Sequence, residues 1–170
     1  MRIQHLKGLI QYLCFTEKIL QDSKKHRFLL QKYVYLLQEW KGYNWGYGFE
    51  AGRRGAFSGG EDDYFRKRSG LSNDLDEIVK TGSIRGFTPV IGKEMKDDIN
   101  EVVLLSQDHK TLSSITTALF AAKDFLWAVK GLEYTEAMGK LRDHVTDVAR
   151  YGIPGEIFDI VESKNMLKLR

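Results

Sequence analysis

Cations and aromatic rings crowd one glycine-rich stretch of this chain. Trp45 and Tyr47 precede Arg53 and Arg54, Phe57 follows, and Arg66, Lys67 and Arg68 come directly after Tyr64 and Phe65. Cations beside rings can hold phosphates by charge while the rings stack on bases. The same side chains can anchor a protein partner. Glu50, Glu61, Asp62 and Asp63 offset four of the five charges, so an ordinary solvated loop is the bland alternative.

Other chemistries find less support in the residue pattern. Metal sites need clustered ligands, and His5, His26, His109 and His144 are scattered; only His144 and Asp147 share a helical i, i+3 spacing. Gly46 and Gly48 begin a G-x-G string, but Ala51 stands where a nucleotide fingerprint needs its third glycine. Ser58, in A-F-S-G-G, lacks the turn pattern of an esterase nucleophile. Cys14, with no second cysteine to pair with, falls on the apolar spacing of the first helix and reads as a core thiol. No catalytic, cofactor-binding or metal-binding residue is assigned, and no cofactor is expected.

The elements that would position these residues are mostly helices. Apolar spacing predicts helices over Ile3–Leu20, Arg27–Trp40, Leu71–Lys80, Glu94–Leu105, Thr111–Lys130 and Thr135–Arg150, and a last one begun by Pro154 in its first turn. The second has almost no polar face, so Val34 and Leu37 should lie at the centre of the core, and Gly42 should end it. Ser72 reads as the N-cap of the helix that follows it, and Gly82 as its stop. Seven glycines between Gly42 and Gly60 exclude a helix there. Trp45, Tyr47 and Phe49 alternate like a short strand with one buried face, Ser83–Ile91 reads as an edge strand, and Glu61–Gly70 as an exposed loop tip.

The expected fold is therefore mainly α (α+β): a compact bundle of about six or seven helices with a small two-stranded β element, in a single domain over 1–170. At 170 residues the chain can bury a real core. The first half is net basic and the second net acidic, within a formal charge of +3, too little to demand nucleic acid. A lone cysteine, no apolar run of membrane-spanning length and no signal-like N-terminus suggest a cytoplasmic protein.

An ordered set of short motifs adds a family expectation. Leu30–Gln38 reads L-Q-K-Y-V-Y-L-L-Q, Gly42–Phe49 reads G-Y-N-W-G-Y-G-F, Gly55–Ser58 reads G-A-F-S, and Leu71–Ile78 reads L-S-N-D-L-D-E-I. In that order the chain resembles the YwgA-like proteins, relatives of the Panacea or SocA-like antitoxin domain. Ala56 stands where the group has proline, and Gly59–Gly70 looks like an insertion. The resemblance implies a regulatory, antitoxin-like or defence-accessory role exerted through protein contacts without catalysis. It supplies no catalytic residues.

The expected partner is thus a protein, with a second copy of the chain as one form of it and no membrane. A nucleic-acid-binding transcriptional regulator using the basic loop at 53–68 is the alternative. The residues singled out for partner or nucleic-acid binding are Arg53, Arg54, Arg66, Lys67, Arg68, Trp45, Tyr47 and Phe57.

Overall fold

A computed structural model describes residues 2–52, 55–59, 70–86, 91–105, 108–148 and 152–169. The protein is mainly helical, with one two-stranded antiparallel sheet. Its contacts divide into two compact units, Met1–Glu50 with Phe57–Leu105, and Ala51–Ala56 with Ser106–Arg170.

The first unit is built on α3, Lys24–Glu39, in which every residue from Leu29 to Leu37 is buried. Val34 and Leu37 are fully enclosed, as the nearly unbroken apolar run requires. Around α3 lie α1 (Arg2–Tyr12), α2 (Glu17–Asp22), α4 (Leu71–Thr81) and α5 (Lys93–Leu105). Helix α3 itself packs against α2, α4 and α5. Past its end the chain reverses through Gly42, whose φ of 85° suits glycine, and the Tyr43 N–H returns to the Leu37 carbonyl at 3.0 Å.

Three local expectations are corrected in this unit. The single helix expected over Ile3–Leu20 breaks between α1 and α2. Cys14 there adopts a left-handed φ of 58° and is exposed, so it is not a core thiol. The break is driven by Thr16, whose hydroxyl accepts the Ile19 N–H at 3.1 Å and starts α2 afresh. Ser72 lies inside α4 instead of capping it; the cap position is Gly70. Its backbone runs against that of Gly59, so closely that a Cβ at Gly70 would meet the Gly59 carbonyl. Finally, Ser83–Gly86 forms turns instead of strand, with Gly86 at φ 73°, while residues 87–90 of that expected strand lie outside the described residues.

Trp45, Tyr47 and Phe49 alternate in burial as expected but pair with no strand. The observed sheet comes just after them, as β1 (Glu50–Gly52) and β2 (Gly55–Phe57). The loop tip expected over Glu61–Gly70 lies, up to residue 69, outside the described residues.

The second unit centres on α6, His109–Asp124, packed against α7 (Tyr134–Val148) and α8 (Gly155–Ser163). Asp108 caps α6 by accepting the Lys110 and Thr111 N–H groups. The long helix expected to reach Lys130 stops at Phe125, where ψ is 2°, and a single 3-10 turn, Leu126–Val129, follows. Pro154 precedes α8 at the cap instead of entering its first turn. In this unit Gly55 has φ +93°, and a Cβ there would come within 2.5 Å of the Thr116 hydroxyl oxygen, so strand β2 admits only glycine at its start.

Candidate interaction site

In the first unit, the residues singled out in the sequence sort by burial. Trp45 and Tyr47 are enclosed, 4% and 5% exposed, whereas Phe57 keeps 41% of its surface. Arg53, Arg54, Arg66, Lys67 and Arg68 lie outside the described residues. Trp45 stacks on His5 at a 5.6 Å ring separation. The Tyr47 hydroxyl donates to the buried Asp74 carboxylate at 2.7 Å, and Arg2 reaches the same carboxylate with Nε at 3.0 Å while lying 4.5 Å over the Tyr47 ring. Burial, then the hydrogen bond to Asp74, pushes the Tyr47 hydroxyl pKa well up. These two rings therefore tie the glycine segment to α1 and α4, and neither presents a surface.

The backbone of that segment is satisfied in an unusual way. Gln38 on α3 donates Nε2–H to the Tyr47 carbonyl at 2.9 Å and accepts the Tyr47 N–H at 3.0 Å. One heptad earlier, Gln31 does the same to Ser58, with both bonds at 2.9 Å. Each side-chain amide replaces a neighbouring strand, which is how an extended, glycine-rich segment can lie on a helix without orphaned polar groups. Ser58, weighed above as a nucleophile, is only 1% exposed. Its Oγ accepts the Leu71 N–H at 3.1 Å, supplying the cap that Gly70 cannot.

Lys32 is also enclosed, at 2% exposure, with its ammonium 4.8 Å from the Phe28 ring centre. Burial pushes its pKa down to about 7. Lys41, by contrast, is bridged by Asp98 at 3.2 Å and by Glu101.

The second unit offers a different kind of surface. Trp127 is 76% exposed, held edge-on against Phe125 at 5.8 Å, and Phe125 in turn stacks on His144 at 3.9 Å. Beside it opens a groove of about 500 Å³ with Leu126, Val129, Leu132 and Ala137 among its lining residues, and Trp127 and Leu169 at its sides. Lys130 and Tyr134 supply its polar groups. The size matches that of sites which bury a few side chains of a ligand.

This groove was not foreseen from the sequence. Trp127 does carry a signal: it falls off the apolar spacing of Ala122, Phe125, Leu126 and Val129, leaving a large ring on the solvent side. Among the described residues no cluster of three metal-ligating side chains occurs, and no helix is long and apolar enough to cross a membrane. No protein-family model, curated protein or solved structure matches this chain.

Proposed function

We propose that this protein is a non-enzymatic interaction protein, regulatory or antitoxin-like in kind, that works by binding another protein. The observation that carries the proposal is Trp127, three-quarters exposed and pre-positioned by Phe125 beside an apolar groove. Tryptophan is enriched among the residues that carry most of the energy of protein interfaces. Holding the ring in place before binding lowers the entropy lost on association. The resemblance to YwgA-like proteins supports the same reading, since the L-Q-K-Y-V-Y-L-L-Q string supplies the two glutamines that seat the glycine segment.

The test is a photo-crosslinking amino acid placed at position 127 and expressed in the protein's own host. A single protein species crosslinked there, and not from exposed position 147 of α7, which does not line the groove, is the expected result. Crosslinks spread evenly over abundant cellular proteins would defeat the proposal.

A second reading, a transcriptional regulator that contacts nucleic acid through Arg53, Arg54, Arg66, Lys67 and Arg68, draws on the exposed ring of Phe57 at the end of β2. Binding of that kind weakens with salt by about 0.9 log units per log unit for each phosphate contact. Salt-independent or absent retention on DNA and RNA excludes it.

A further inference from the structure

We infer that the groove beside Trp127 takes a peptide segment in which a large apolar side chain lies next to a carboxylate. This rests on the interaction reading above and specifies its partner.

The apolar half of the requirement comes from the lining, which is aliphatic apart from the Trp127 ring, Lys130 and Tyr134. The acidic half comes from charge. Lys130 is the one charged residue lining the groove, it is exposed, and among the described residues it has no acidic partner. Nearby acids are already engaged: Glu136 is 3.5 Å from Lys140, and Glu162 accepts the Tyr134 hydroxyl at 3.2 Å and lies 3.8 Å from Arg142. Asp124 and Glu133 are exposed but do not line the groove. An apolar slot with one unmatched cation at its edge complements an apolar–acidic ligand and disfavours a basic one.

The C-terminal turn brings Leu169 to the groove. Asn165 and Lys168 both adopt left-handed backbone, at φ 48° and 54°. The turn is held by Met166 and Leu167, both buried, and by the Lys168 N–H bonded to the Asn165 carbonyl at 3.1 Å. Leu169 follows this turn and lines the groove, 36% exposed. The occupant is a peptide and not a free fatty acid, because the groove is open along Trp127, where an acyl chain would remain wet while a peptide covers the ring.

The test is a selection of random twelve-residue displayed peptides on the immobilised full chain, with Trp127→Ala and Lys130→Glu as parallel targets. Both side chains are exposed, so both variants should melt with the parent, which circular dichroism checks. The expected yield is sequences pairing Leu, Phe or Trp with Asp or Glu. A synthetic representative should bind Trp127→Ala at least about 30-fold more weakly. Lys130→Glu should reverse the preference towards lysine-containing versions. No enrichment, enrichment of basic peptides, or undiminished binding to Trp127→Ala overturns the inference. So does a dimer seen by sedimentation that dissociates in Trp127→Ala, since the occupant is then a second copy. A partner crosslinked at position 127 without acidic enrichment sinks the peptide class and leaves the interaction reading intact.

Discussion

The side-chain amide of Gln31 pairs with both backbone groups of Ser58, donating to its carbonyl and accepting from its N–H at 2.9 Å each. A helix side chain thereby acts as one rung of a ladder just past the end of β2. Gln31→Leu keeps the size and leaves the buried Ser58 N–H without its acceptor, while the Ser58 carbonyl still accepts the Ser72 N–H at 3.3 Å. A buried orphan of this kind costs about 1–3 kcal/mol, which is the loss expected. Gln38→Leu should cost less, because Gln38 is only half-buried. Urea denaturation of the two variants checks the order; equal and small shifts in the midpoint would mean that water replaces the amide.

Lys32 makes stability depend on pH in a direction opposite to that of a salt-bridged lysine. Its pKa falls from 10.5 to about 7 on folding through burial. Between those values the unfolded chain binds more protons, so stability rises with pH from about 7 to 10.5. The penalty for holding a charged Lys32 is present in full below pH 7 and is gone above 10.5. Lys32→Met should therefore raise the melting temperature at pH 6, and the gain should fade by pH 10. A gain independent of pH would assign the effect to packing alone.

Asp74 accepts from Tyr47 and Arg2 at once. Tyr47→Phe removes one donor from a buried carboxylate and should destabilise by about 1–3 kcal/mol. Arg2→Ala removes the compensating charge and its contact with the Tyr47 ring. Because all three groups touch, the double variant should depart from additivity by at least about 0.5 kcal/mol. Additive losses would show that Arg2 and Tyr47 act separately.

Cys14 should react quickly with a thiol reagent in the native protein, at nearly the rate found in denaturant, since it is exposed. Its left-handed φ of 58° also favours glycine. Cys14→Gly should be neutral or stabilising by up to about 1 kcal/mol, and Cys14→Val destabilising. Thermal melts of the pair decide the point, and a protected thiol would restore the buried placement.

The amino-acid pattern by itself determined the helical class and the centre of the first unit. The run from Leu29 to Leu37 leaves little polar face, and a helix of that kind packs at the centre. One stop that rests on backbone conformation was also legible: Gly82 ends α4 at φ 59°. What the pattern missed depends on distant partners. Cys14 follows the helical spacing, yet the Thr16 cap ends that helix locally and turns the thiol out. Trp45 and Tyr47 look like surface anchors beside arginines until His5, Arg2, Asp74 and Gln38 are brought to them. Those contacts join residues up to 72 positions apart, and no local periodicity encodes them. The groove is the clearest case. Phe125 sets the break, His144 supports it, and Leu169 closes a wall from the end of the chain. Whether a tryptophan fills a core or waits on a surface is decided by which side chains fold over it, and for Trp127 none does.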